Sequence, residues 1–461
     1  MKKGMLCDLP ARALAEKLRR REVSAVEALD AHLQRIEDRN PALHAVVSVD
    51  VKRARASARA ADAALRRGDA PGPLHGVPMT LKDGLEVAGL RTTLGSPALD
   101  RVATEDGTVA ARLRAAGAVI FGHTNVPPWL GDHQSNNPIF GRTGNPWDPR
   151  RTAGGSSGGA AAAVAAGMTP LEIGSDLVGS LRLPAHFCGV YALKTTEHRV
   201  PLTGFFRLPF PAPRSVRIMS TLGPIARDLG DLEIALSLLS GPDGRDTDVP
   251  PAPPAPPERP LRELRLAASP TLPGATIAAS VRRQVERIAA EAAAAGARVE
   301  TRLPDLDWEA LGALFGDLVA TITGIFAPDS ELRDEQRTLA WYLEALDRRD
   351  RFIAAWEAYF DGVDALVLPA AIANAFTHRD AGAPLDVDGR RVPYWEIARP
   401  LVSCNLTGHP ALAAPAGLDG DGLPIGVQIV GPRWSDARLV CIARALEQAG
   451  ILPGFRPPPK A

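Results

Sequence analysis

The chain is poor in several things, and each shortage removes a class of protein. Its 461 residues hold only four cysteines, Cys7, Cys188, Cys404 and Cys441, far apart and with no Cys-x-x-Cys pair. A structural zinc or redox site is therefore not expected, and a chain of this length needs no disulfide framework. Apolar runs of 18 or more residues are missing, so no membrane span is expected, and Lys2 and Lys3 have no apolar stretch of a secretory leader behind them. Net charge is lacking too, with 53 Lys+Arg against 53 Asp+Glu. Nothing electrostatic points to a polyanion, so neither nucleic acid nor membrane is expected as a partner. Metalloamidase spacings such as H-x-x-E-H or H-E-x-x-H do not occur, and neither metal nor cofactor is expected. A cytoplasmic protein is the resulting expectation.

What remains is an ordinary globular balance, 45% hydrophobic and 23% charged. At about 150 residues per domain the length would allow two or three, although large α/β enzymes form single units. The first 65 residues read as a helical segment packing on the core, and 66–461 as one catalytic domain. In that first segment Val26, Leu29, Leu33 and Ile36 recur at helical spacing, and Ser24-Ala-Val-Glu27 fits a capping box. From Gly76 to about Gly241, short apolar stretches alternate with Gly- and Pro-punctuated turns. Thr108–Ala116 reads as a helix, Ala118–Gly122 as a buried strand and Ala160–Ala166 as an Ala-rich helix. Seven of the eleven residues from Pro250 to Pro260 are proline, which marks an exposed linker at about 247–260. Beyond it Leu264–Ala268, a helix Ala275–Ala295 and Arg298–Leu303 form a β-α-β unit extending the sheet, and Ala411–Ala414, Gly426–Val430 and a helix Asp436–Ala449 close the chain. The fold class expected is α/β, a single large mixed sheet with helices on both faces.

Three segments carry chemistry. In Gly76-Val-Pro-Met-Thr-Leu-Lys82-Asp83, a lysine ends an apolar, strand-like run, where desolvation can leave part of the amine neutral. An edge lysine paired with an acid fits the same residues. In Thr152-Ala-Gly-Gly-Ser156-Ser157-Gly-Gly-Ala160, four glycines permit close backbone approach, and the helix that follows supplies orphan N–H donors. A Walker A loop would need Gly-Lys-[Ser/Thr], which is not here. In Gly174-Ser-Asp-Leu-Val-Gly-Ser180-Leu-Arg-Leu-Pro184, a serine in a turn can expose its hydroxyl beside converging N–H groups, as an oxyanion hole requires. A plain Ser/Gly turn is equally compatible. His186 and His198 lie close in sequence without an obvious Asp partner, so a Ser-His-Asp triad stays open beside a lysine-based one.

Together the three segments resemble the amidase signature hydrolases. The Gly-Gly-Ser-Ser-Gly-Gly loop, the Gly-Ser-Asp-x-x-Gly-Ser-x-Arg-x-Pro-Ala loop and the 24 residues between Ser156 and Ser180 are that family's marks. The likeness continues through Asn137–Asp148, Cys188-Gly-Val, Gly223–Arg227, Asn405–Pro410 and Gly422–Gln428, and is weakest over 242–400. The resemblance implies Ser180 as nucleophile, Ser156 as bridging serine and Lys82 as base, with a cis bond at Gly155-Ser156. It implies an oxyanion hole of the N–H groups of Leu177, Val178, Gly179 and Ser180, with Asp176 and Arg182 supporting the loop. Hydrolysis of a small-molecule amide is the activity implied; a glutaminase subunit of a tRNA-dependent amidotransferase is the alternative, and a homodimer fits relatives. Val178 stands where many relatives have Gly, Leu193-Lys-Thr-Thr196 replaces Leu-Lys-Pro-Thr or Ser, and Glu197-His198 is also unusual. Pocket walls are expected from Trp129–Phe140, Gly204–Arg214 (with Phe205, Phe206 and Phe210) and the helices of 306–360.

Overall fold

A computed structural model describes residues 3–206, 214–324 and 338–459. Its centre is an eight-stranded mixed sheet in the order Leu171–Asp176, Thr221–Ala226, Tyr191–Lys194, Ala411–Leu418, Pro424–Val430, Ala365–Pro369, Arg265–Ala268, Arg298–Glu300. Five of the seven pairings are antiparallel, and only the last three strands run parallel to one another. That parallel edge is the β-α-β unit expected after the proline-rich segment. Its helix, Ala279–Ala294, buries Val281, Val285, Ile288 and Ala292, four positions at the 3.6-residue spacing of one face.

Lys82 does not belong to that sheet. Its strand, Pro78–Lys82, is the edge of a separate three-stranded sheet, parallel to Val119–Thr124, which also pairs antiparallel with Val46–Val49. The first 65 residues are therefore not purely helical. They contain the helix Ala25–Leu43, started by the expected Ser24–Glu27 capping box, and they also supply the strand Val46–Val49. Register across strands is set by packing partners distant in sequence, which periodicity within a short segment does not encode.

Between the two sheets runs the Ala-rich helix Gly158–Ala165, every residue of it buried. Small side chains allow this proximity. A Cβ on Gly159 would lie 2.3 Å from the Asn125 nitrogen, and one on Gly158 2.6 Å from Ser135 Oγ. Glycine at both positions lets the start of the helix touch backbone and hydroxyl directly. The helix therefore holds the segment before it, which contains Ser156, against the end of the strand carrying Lys82. Among the described residues no helix is long and apolar enough to cross a membrane.

Candidate active site

Lys82, at the last position of its strand, is fully buried, and Nζ donates to Ser156 Oγ at 2.7 Å and to Ser175 Oγ at 2.8 Å. Burial pushes its ammonium down to about 7, against the pull of Asp176, Glu172 and Asp83. A carboxylate within hydrogen-bonding range would have kept this lysine charged; two neutral hydroxyls do not. Glu172 lies nearby, accepting from Thr124 Oγ1 at 2.6 Å, and burial raises its carboxyl well above the usual range. Asp83, the residue after Lys82, accepts from Thr92 Oγ1 and from the Thr93 N–H and hydroxyl.

Backbone contacts fix the two serine loops against each other. The Gly155–Ser156 peptide is cis. Ser135 Oγ donates to the carbonyls of Gly154 and Ser156 and accepts from the Gly158 N–H. The Ser157 N–H donates to the carbonyl of Ser180 at 3.2 Å, tying the bridging loop to the residue expected to attack. Ser180 opens on the same cavity as Ser156 and Ser175.

Asp176 and Arg182 organise the turn that presents Ser180. Both side chains are wholly buried, 3.0 Å apart. The carboxylate also accepts from the N–H groups of Gly179 and Leu181 and from Asn405 Nδ2. Burial alone would raise Asp176; the Arg182 guanidinium and these hydrogen bonds overcome it and hold the acid far below its ordinary value. Of the four N–H groups expected to line an oxyanion hole, that of Gly179 donates to Asp176 at 2.8 Å. Among the described residues, the N–H groups of Leu177, Val178 and Ser180 have no protein acceptor.

The histidine alternative loses its geometry here. His186 is a strut, with Nδ1 accepting from the Gly426 N–H at 2.8 Å and Nε2 facing the Ala373 carbonyl. Neither it nor His198 is hydrogen-bonded to Ser156 or Ser180, and burial pushes His186 down to about 4. Glu197, beside His198, is buried and accepts from the Met219 N–H at 2.6 Å while pairing with Arg349. It steadies the segment next to Ser220, a cavity residue, rather than facing the cavity itself. Among the described residues no cluster of three or more His, Cys, Asp or Glu could hold a metal ion.

The cavity has a volume of about 640 Å³. Trp129, Leu130, Phe205, Phe206, Phe315, Val319, Ile322, Trp395 and Val402 make its walls largely apolar, and Val178 lines it together with Ser180. Each of the three stretches expected to form walls contributes, although Phe210 lies outside the described residues and the part of Trp129–Phe140 that lines the cavity ends at His133. Ser175 was not anticipated from the sequence. The one sequence signal for it is its place in the Gly174–Pro184 segment, five residues before Ser180.

The fold is that of enzymes that hydrolyse amide C–N bonds, and the buried Lys–Ser–Ser arrangement suits that chemistry. The family model described as Amidase matches residues 27–323 and 308–440, and the chain belongs to the amidase signature family. An indoleacetamide hydrolase of Bradyrhizobium diazoefficiens is 33% identical, covering 98% of this chain and 88% of that protein. A glutamyl-tRNA(Gln) amidotransferase subunit from Moorella thermoacetica is 34% identical, covering 96% of each chain. Among solved structures, 6-aminohexanoate cyclic dimer hydrolase superposes with a TM-score of 0.81 at 28% identity, over 98% of this chain and 99% of that one.

Proposed function

We propose that this amidase hydrolyses a carboxylic amide with a bulky apolar or aromatic acyl group, through an acyl-enzyme on Ser180. The observation that carries the mechanism is the 2.7 Å contact of Lys82 Nζ with Ser156 Oγ in a site dry enough to bring the lysine down to about 7. Neutral Lys82 takes the proton of Ser156 while Ser156 takes that of Ser180, whose Oγ forms the bond to the carbonyl carbon. The developing oxyanion is met by the N–H groups of Leu177, Val178 and Ser180. As the tetrahedral centre collapses, the C–N bond breaks and the proton returns through Ser156 to the leaving nitrogen. Water then attacks the acyl-enzyme by the same relay and releases the carboxylate. Asp176 and Arg182 take no proton in this scheme; they hold the turn.

The apolar cavity supports an aryl or long aliphatic acyl group, and arylacetamides such as indoleacetamide are the first substrates to test. Four free cysteines suit a reducing cytoplasm. A panel of arylacetamides, anilides, aliphatic amides and glutamine, run with the Ser180→Ala variant as control, tests the reading. Release of ammonia or amine that Ser180→Ala abolishes is the expected result. An active Ser180→Ala protein would refute the role of Ser180. Glutaminase activity appearing only with a partner subunit would instead favour the amidotransferase reading.

A further inference from the structure

Among the described residues ten non-glycine residues sit at positive φ, and three of them line the cavity: Trp129 (φ 54°), Leu130 (φ 59°) and Phe206 (φ 66°). A fourth, Leu94 (φ 50°), accepts the Trp129 N–H on its carbonyl at 2.8 Å. The left-handed region is unfavourable for residues with a branched or bulky side chain, and such conformations persist only where neighbours enforce them.

The enforcing contacts can be followed from the catalytic strand. Asp83, next to Lys82, anchors Thr92 and Thr93 through its carboxylate. The turn that follows places Gly95 against the backbone of Pro127, where a Cβ would come within 2.7 Å of the carbonyl. Gly84 leaves room for the Leu94 side chain, since its own Cβ would fall 2.5 Å from Leu94 Cδ2, and the Gly84 carbonyl accepts the Phe206 N–H at 2.9 Å. Strand end, turn and loop thus converge to hold two aromatic rings at the cavity, their centroids 6.4 Å apart and tilted by 43°. Trp129 is 41% exposed. A large ring in a disfavoured backbone conformation, partly open to solvent at the cavity, contributes little to the core. Its position is better explained by what it offers a ligand.

We propose that Trp129, backed by Phe206, is a specificity-determining clamp that stacks on the aromatic ring of the substrate at the mouth of the cavity. This rests on the amidase reading above and adds the substrate feature that the rim recognises, a flat aryl group. Neither ring enters the proton relay, so a small aliphatic amide that reaches Ser180 without touching the rim is turned over independently of the clamp.

Trp129→Gly separates recognition from architecture, because glycine removes the ring and also accepts φ 54° without strain. For arylacetamides, KM should rise by about 3- to 10-fold with kcat little changed, the range expected for loss of one aromatic stacking partner. On a small aliphatic amide kcat/KM should change much less than on an arylacetamide, so that the aryl-to-aliphatic ratio falls, and the melting temperature should be equal or higher. Trp129→Phe should restore most of the aryl affinity. The clamp is refuted if Trp129→Gly leaves aryl KM unchanged, or if aryl and aliphatic rates fall together. It is refuted too if a lowered melting temperature accompanies the loss, because Trp129 would then be a structural residue. Loss of all amide turnover in the wild-type protein would overturn the amidase reading instead, a result distinct from each of these.

Discussion

Lowering the pH through neutrality should switch the enzyme off by protonating Lys82, with a midpoint near the value of about 7 to which burial brings it. A free lysine near 10.5 would be neutral in only about three molecules per ten thousand at pH 7. Burial brings Lys82 down to about 7, which makes about half of it neutral there and increases the competent population roughly a thousandfold. kcat/KM followed from roughly pH 5 to 9 on a non-titrating amide should fall about tenfold per pH unit below the midpoint and level off above it, because this ratio reports groups of the free enzyme. The same burial has a stability signature of defined sign. The folded-state value lies below the unfolded one, so protonation favours unfolding. The cost is full below about pH 7, on the order of several kcal/mol, and fades as pH rises towards 10.5. Urea titrations should therefore show Lys82→Met to be inactive yet more stable than the wild type, by a margin that shrinks between neutral and alkaline pH. A rate that stays flat from pH 8 to 6, or a Lys82→Met protein less stable at pH 6 than the wild type, would refute the assignment of a neutral buried base.

Three further outcomes follow from contacts already described. Ser175→Ala removes one of the two hydroxyls that orient Lys82 Nζ and should lower kcat by about 10- to 100-fold with KM nearly constant, read by steady-state kinetics. Arg182→Met strands the buried Asp176 carboxylate and should cost about 3–5 kcal/mol in urea unfolding; a cost under about 1 kcal/mol would show that the pair does not hold the turn. Val178→Gly opens the cavity wall near Ser180 and should shift kcat/KM in favour of amides branched next to the carbonyl, measured as a ratio against an unbranched substrate.

The fold class and the candidate-site motifs are legible in the sequence while the strand pairing is not, and the reason is locality. Lys82, Ser156 and Ser180 lie in short motifs whose spacing is visible along the chain, and the helices at Ala25–Leu43 and Ala279–Ala294 show their buried faces by period alone. Strand partners are another matter. Nothing within Pro78–Lys82 tells that it pairs with Val119–Thr124 in a sheet apart from the one bearing Ser175. The Gly179 N–H shows the same limit at atomic scale. Its place in the turn is evident from sequence, but its commitment to Asp176 depends on where a carboxylate three residues earlier is turned. Ser175 is not legible as a site residue in the sequence, because a hydroxyl beside a lysine becomes meaningful only once the two strands are seen side by side.

The dryness around Lys82 has a consequence outside catalysis. A lysine that is neutral near pH 7 is far more nucleophilic than its charged counterparts, a natural target for aldehydes, cyanate and activated esters. Here it is fully buried, behind Ser156 and Ser175. Folding thus withholds Lys82 from electrophiles, as it does the other fully buried lysine among the described residues, Lys194, which burial brings down to about 8. Acylating reagents should modify Lys82 only as the surrounding sheet opens, which makes this side chain an internal reporter of unfolding.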